Sequence, residues 1–399
     1  MTRRRLLVGL FLSVLVFGGT GYALHGAFER VLTWTLDWKP LELGAAQPSS
    51  RTVAVAAPVD GTERLKRAQL ALLAPSLTVA VARDGAVLWT ESLGFADVEA
   101  RAPANENTVY RLGSVSKAVT SLLAGRLFEQ GKFEWDAPVS KYLPGYPHAG
   151  VTPRRLASHQ AGLRHYEMCL CFPAWEYYSR ASYSSVKESL EVFIEDPLIF
   201  EPGTQFKYSS YGYVLLSAVL ESAGGADFDS LLRREVFDVA RLKGVGLERK
   251  GGLQPDARGY EVEGERYKPA DAVDNSGKWA GGGMVGTPRD LALLGSAFLS
   301  DGLVKPATRE LLFTPGVLPD GTTNPYGYGL GWRRFKWKHN GREVVAHHHG
   351  GAAVGSTFFW LLIPEERLSI AIAMNRSMEQ AWPLAEQALE LIAPIVGGG

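Results

Sequence analysis

Patterns that read as β-strand sit at the two ends of the folded part of this chain, and patterns that read as helix fill the middle. Near the N-terminal end, Leu77 to Ala82 is apolar and partly β-branched, Arg83-Asp84-Gly85 supplies a turn, and Ala86 to Ser92 returns. Near the other end, a strand from Glu343 to His349 precedes a second hairpin. There Thr357 to Ile363 and Leu368 to Asn375 flank the polar turn Pro364-Glu365-Glu366-Arg367, and Glu379 to Ile392 reads as a closing amphipathic helix. From Ser114 to about Ala240 the pattern is mostly helical, with Ser184 to Ile194 and Tyr211 to Ser222 clear candidates. Such a chain builds an antiparallel sheet from both ends, flanks it with helices, and inserts a helical lobe between them: an α+β arrangement.

The chain has 399 residues, enough for a large core, and 10 Trp, 15 Tyr and 17 Phe describe an ordered, aromatic-rich globule. Lys plus Arg and Asp plus Glu both total 42, so the formal net charge is zero. That balance argues against nucleic acid as a partner. The two cysteines, Cys169 and Cys171, are one residue apart. That spacing seldom allows a disulfide, and zinc would need more ligands nearby, so they read as free or core thiols.

Arg3, Arg4 and Arg5 precede an apolar stretch from Leu6 to Leu24, which reads as a signal anchor or a cleavable signal peptide over residues 1–25. An anchor places the protein at the cell membrane with its folded domain periplasmic or otherwise extracytoplasmic; cleavage makes it secreted or periplasmic. Residues 26–62 read as a linker, since Pro40, Pro48, Ser49, Ser50 and Pro58 lie among small residues without a sustained period. Residues 63–395 are then the folded domain.

Three short motifs carry the chemistry. Ser114-Val115-Ser116-Lys117 opens the most apolar helix of the middle of the chain, and positions i and i+3 share a helix face. A serine hydroxyl is a weak nucleophile until a neighbour takes its proton, and a lysine does so only when burial or nearby positive charge lowers its pKa. The helix start adds backbone N–H groups and a positive dipole end where negative charge develops. Tyr208-Ser209-Ser210 follows a loop marked by Pro202 and Gly203, and His348-His349-Gly350 lies on the late strand. Along a strand His347 and His349 face one way and His348 the other, so the three histidines do not converge on a metal. A second Ser-x-x-Lys copy, Ser184-Ser185-Val186-Lys187, reads as a helix start, with Ser185 and Glu188 as a capping box.

Leu93-Gly94-Phe95-Ala96-Asp97, Arg111 to Lys117, Leu156 to Leu163, Pro202-Gly203 leading into Tyr208, and Gly281-Gly282-Gly283-Met284 leading into Thr287-Pro288-Arg289-Asp290 resemble class C β-lactamases and their relatives in the serine β-lactamase and penicillin-binding-protein superfamily. Within it, His165-Tyr166-Glu167, Val273 to Ala280 and His348 to Ala352 most resemble the mitochondrial β-lactamase-like serine proteases and their bacterial relatives. The likeness spans roughly residues 65 to 392 and implies a β-lactamase/transpeptidase-like fold. It implies that Ser114 is the nucleophile and that Lys117 and Tyr208 move protons. It further implies an oxyanion hole from the Ser114 N–H and the strand near Gly350 and Gly351.

Ser210 departs from the commoner Asn of the family, so the hold on a substrate amide changes. His348 takes the place of the Lys in Lys-Thr-Gly and is expected to help bind substrate or polarise Tyr208, though with weaker recognition of a substrate carboxylate because histidine is largely neutral near pH 7. His159 and His165 are read as shaping loops beside the cleft. The resemblance thus implies a serine hydrolase acting through an acyl-enzyme on a peptide or ester substrate, with no metal or cofactor, and the N-terminal segment adds an extracytoplasmic location. A peptidase is the leading reading, an esterase the near alternative, and a β-lactamase or D-alanyl-D-alanine carboxypeptidase comes next. A self-assembling, non-catalytic scaffold is the alternative of another class, which the intact Ser114, Lys117 and Tyr208 disfavour.

Overall fold

The computed structural model describes residues 38–43, 47–53, 58, 60–167 and 175–396. The expected signal segment over 1–25, together with Cys169 and Cys171, lies outside the described residues. Among the described residues no helix is long and apolar enough to cross a membrane.

The chain divides into two units. In the described part of the smaller one, Lys39–Pro40 pairs antiparallel with Arg266 and Tyr267, and the Leu41 N–H donates to the Glu265 carbonyl at 2.8 Å. The larger unit, Leu43–Glu261 with Pro269–Gly399, carries the sheet, the helices and the motifs.

Its centre is an eight-stranded antiparallel sheet. We number seven of the strands β1 (Ser49–Val53), β2 (Ser76–Arg83), β3 (Ala86–Asp97), β4 (Arg333–His339), β5 (Arg342–Ala353), β6 (Ser356–Ile363) and β7 (Leu368–Met374). They lie in the order β4-β5-β6-β7-β2-β3-β1. The seam between the chain's two ends is β7 against β2, with Leu368 opposite Arg83 and Met374 opposite Leu77. Seven of the helices are numbered α1 (Gly61–Ala71), α2 (Val115–Glu129), α3 (Pro153–Ala157), α4 (Val186–Leu190), α5 (Ser210–Gly224), α6 (Pro288–Leu299) and α7 (Trp382–Ile392).

Strand alternation sorts the core into two layers. Val79, Val81, Leu361, Ile363, Ile370 and Ile372 pack with Leu65 of α1 and Leu384, Ala388 and Leu391 of α7. The opposite face presents Ala80, Ala82, Ala371 and Ala373 with Phe358 and Trp360, and joins the helical lobe. Alanine there lets α6 come close. A methyl group on its Gly295 would lie 2.2 Å from the Ser369 Oγ. Because both faces are covered, β6 and β7 read as nearly unbroken apolar runs.

Two expectations change. Ser49–Val53, inside the span read as linker, is the edge strand β1, paired with β3 from Ser49–Leu93 to Val53–Trp89. It is largely exposed and held by backbone pairing, so it carries no apolar period to detect. The helix expected over Ser184 to Ile194 is only Val186–Leu190. Val192 and Ile194 are β-branched and disfavour helix, and Phe193 stacks on Tyr211 at 4.3 Å between ring centres. Its start is capped as expected, with the Ser185 Oγ accepting the Glu188 N–H at 3.2 Å. The Glu188 carboxylate reaches back to the N–H and hydroxyl of Ser184, both at 2.7 Å, rather than to Ser185.

Helix α2 is buried along almost its whole length and starts against β5. Gly113, at φ +50°, turns the chain into it. A methyl group on Gly351 of β5 would lie 1.9 Å from the Leu112 carbonyl oxygen and 3.1 Å from the Ser114 nitrogen. Gly351→Ala must therefore push the strand and the helix start apart. Urea unfolding is expected to show a loss of about 1–3 kcal/mol. An unchanged midpoint would mean that the two elements separate freely.

Candidate active site

Ser114 is the cap residue of α2, and Lys117 lies one turn on, fully buried. The Lys117 Nζ is within bonding distance of the Ser114 Oγ at 3.1 Å, the Ser210 Oγ at 3.0 Å and the Gly281 carbonyl at 2.5 Å. The rings of Tyr208 and Tyr213 lie 4.8 and 5.6 Å from it. Among the described residues no carboxylate pairs with this amine. Burial, reinforced by the charge of Arg333, holds its pKa well below the ordinary lysine value. Ser210 thus reaches the site as a partner of Lys117.

Tyr208 sits in the extended residues just before α5, whose cap residue Ser209 accepts the Gly212 N–H at 3.1 Å. Its phenol is pushed up to about 12 by burial, against the opposing pull of a hydrogen bond with Ser114 and the charge of Arg333. The neutral tyrosine and the lysine amine therefore converge on one serine hydroxyl.

The histidine run requires a correction. His348 faces away from Ser114, packed between Phe359 and Trp382 with ring centres at 5.0 and 5.9 Å. Gly350 shares that side, where a methyl group would lie 2.7 Å from the Ala381 Cβ. The residue that faces the cleft is His349, two before Gly351 on the same side of β5. Its Nδ1 donates to the Gly350 carbonyl at 2.7 Å, since a carbonyl only accepts, and its Nε2 accepts from the Tyr328 hydroxyl at 2.8 Å. Burial, with the charges of Arg333 and Lys117, holds it neutral. Strand parity was readable in the sequence. Which member of His347-His348-His349 faced inward depended on where β5 meets α2.

A second correction concerns charge. The site does not lack a fixed cation, because Arg333 at the start of β4 lies 5.8 Å from the centre of the Tyr208 ring and 5.7 Å from that of Tyr328. Its Nε is buried without a hydrogen-bond partner, and no described carboxylate pairs with it. Nothing in the first of two adjacent arginines at the start of an alternating, half-exposed strand marks it as a site residue in sequence. The Gly281 carbonyl had no chemical signal either. Among the described residues no three His, Cys, Asp or Glu side chains group as metal ligands would. The second Ser-x-x-Lys copy lies apart from this cleft, with Ser184 and Lys187 exposed at the start of α4.

The family model described as Beta-lactamase matches residues 65–393. The mitochondrial serine beta-lactamase-like protein LACTB of Homo sapiens is 30% identical, over 82% of this chain and 75% of its own length. A D-aminopeptidase of Gluconobacter oxydans is 30% identical, over 75% of this chain and 56% of its own. Among solved structures, the D-amino acid amidase of Ochrobactrum anthropi superposes with a TM-score of 0.71 at 19% identity, covering 84% of this chain and 99% of the other, and so shares the fold.

Buried Lys117 has a stability signature. Its folded-state pKa is lowered, so between that value and about 10.4 the unfolded chain binds the extra proton, and stability falls as pH falls through the window. Lys117→Met removes this dependence. Relative to the unaltered protein, the variant is expected to gain stability from pH 10 to pH 7, by up to about 1.4 kcal/mol per pH unit. Parallel pH profiles in denaturant melts would expose a lysine that stays charged when folded.

Proposed function

The chain belongs to the Beta-lactamase family of serine hydrolases, and we propose that it acts through an acyl-enzyme on Ser114, with Lys117 as base and Tyr208 as proton carrier. The observation that carries this reading is the shell of the Lys117 amine. A neutral amine has two hydrogens and one lone pair. The Gly281 carbonyl can only accept, so it takes one hydrogen; with Ser210 taking the second, the lone pair is free for the hydroxyl of Ser114, which stands at 3.1 Å. The serine proton has a destination before substrate arrives.

Attack by the Ser114 Oγ on a carbonyl carbon develops an oxyanion. The Ser114 N–H, left without an intrahelical acceptor at the start of α2, and the backbone of β5 beside Gly351 support a hole for it. As the tetrahedral species collapses, the proton held on Lys117 passes by way of Tyr208 to the leaving group, and water then releases the acyl group. Amide cleavage needs that protonation more than ester cleavage does, because an amine leaves poorly as its anion. A tyrosine held neutral beside Ser114 therefore favours the peptidase reading over the esterase. The unpaired guanidinium of Arg333 supports substrates that carry a carboxylate near the scissile bond. The basic and apolar segment ahead of the domain supports an extracytoplasmic location at a membrane.

Fluorophosphonate labelling and peptide mapping test the site. Ser114→Ala is expected to abolish both the adduct and hydrolysis, typically by several orders of magnitude, whereas Ser184→Ala keeps both. An adduct on Ser184 refutes the assignment, and a folded protein that neither labels nor turns over esters, aminoacyl amides or a penicillin supports a scaffold. In the active protein kcat/KM should rise with pH through the lowered Lys117 pKa, since only the neutral amine accepts the proton. A flat profile from pH 5 to 9 would speak against lysine as base.

Arg333→Gln gives a separate reading. It should raise KM about tenfold or more for a peptide with a free carboxylate, and little for the matching amide. Equal effects on both would remove the charge argument.

A further inference from the structure

Tyr208 acts at its hydroxyl, yet it sits on a loop, and the residues that hold the loop are two histidines from one segment. After α3 the chain from His159 to His165 runs beside residues 199–210. The Ile199 N–H donates to the Gly162 carbonyl at 2.8 Å, the Gly203 N–H to the Gln160 carbonyl at 2.7 Å, and the Lys207 N–H to the His159 carbonyl at 2.9 Å. Around the tyrosine the acceptors change from carbonyls to rings. The Ser209 N–H donates to the His159 Nδ1 and the Ser210 N–H to the His165 Nδ1, both at 3.2 Å. The His159 ring also lies 4.3 Å from the Tyr208 ring, and that of His165 lies 5.6 Å from it.

We propose that His159 and His165 are positioning residues for Tyr208: their neutral rings fix the backbone on the C-terminal side of the tyrosine while adding no negative charge beside Lys117. The proposal rests on the catalytic reading of Tyr208. An Nδ1 that accepts an N–H carries no proton, so each ring is held as the tautomer protonated at Nε2. His159 is 2% exposed, and its Nε2 meets no hydrogen-bond partner. It is locked in place by its backbone, at φ +60° with its carbonyl committed to Lys207.

A carboxylate would accept the same N–H groups. It would also pair with the Lys117 amine and keep it protonated, and the base would be lost. Imidazole supplies acceptors without that penalty. Burial comes first in keeping both rings neutral; the groups that also bear on His159 are Lys117, His349, Arg333 and His165, and those that bear on His165 are Lys117 and Glu176, of which Glu176 favours protonation.

His165 is partly exposed and allows three substitutions of similar size. Asn places a carbonyl oxygen where Nδ1 stood, Leu places no acceptor, and Asp places a charged one. Steady-state kinetics of each with a p-nitrophenyl ester and an aminoacyl amide should show kcat falling about 10- to 100-fold in His165→Leu with KM nearly unchanged. His165→Asn should recover most of that loss. His165→Asp should move the acid limb of kcat/KM to higher pH, because it stabilises the protonated amine. His159→Asn, which tolerates the left-handed backbone, should retain more activity than His159→Leu.

If Leu and Asn at 165 behave alike, or Asp leaves the acid limb in place, the inference is overturned. Should the Leu variants fail to fold, the Asn and Asp pair still decides it through the acid limb. Tyr208→Phe separates the two levels. Full activity there removes the catalytic reading itself. A large loss there together with unaltered kinetics in His165→Leu removes the positioning role alone.

Discussion

An amine buried without a counter-ion is the constraint around which this molecule is arranged. Lys117 is fully buried, and everything its nitrogen touches is neutral: a serine hydroxyl on each side and the carbonyl of Gly281. A single carboxylate in that shell would hold the amine as a cation. Helix α2 supplies the amine and Ser114, α5 supplies Ser210, the glycine-rich turn before Met284 supplies the carbonyl, and Arg333 adds positive charge from the sheet edge. Among the described residues its bonded partners are two serine hydroxyls and a backbone carbonyl, two tyrosine rings lie beside it, and the formal charge that acts on it, that of Arg333, has the same sign as the lysine's.

The frame that holds this shell was largely legible in the sequence. Hairpin patterns at 77–92 and 357–375 identified the sheet and its two-ended construction, because alternation and turn chemistry are local signals. Ser114, Lys117 and Tyr208 were legible as well, since each stands at a helix start or just before one and the motifs occur in a distinctive order. The structure brings those three side chains together around one hydroxyl.

What was not legible depends on long-range geometry. The inward member of His347-His348-His349 is decided by where β5 meets α2, and no local pattern contains that register. Arg333 matters because β4 starts beside Tyr208 and Tyr328, which are distant from each other in the chain. Gly281 contributes only a carbonyl, and backbone atoms leave no mark in a sequence. Edge strand β1 escaped notice for a different reason: it is exposed, so nothing requires apolar alternation of it.

The seam between β7 and β2 has a kinetic meaning. Residues 76–83 emerge from the ribosome long before residues 368–374, so the strand at the heart of the sheet waits almost the whole length of synthesis for its partner. Loop closure over so many residues is slow compared with forming the helical lobe. During that interval β2 offers an apolar, unpaired edge, with only the hairpin to β3 as an early neighbour. Helix α2 can form early, but the strand that lines the other side of the cleft arrives near the end. A nascent chain therefore carries a serine and a lysine at their proper spacing and still has no enzyme, which delays hydrolytic competence until the last hairpin has joined the sheet.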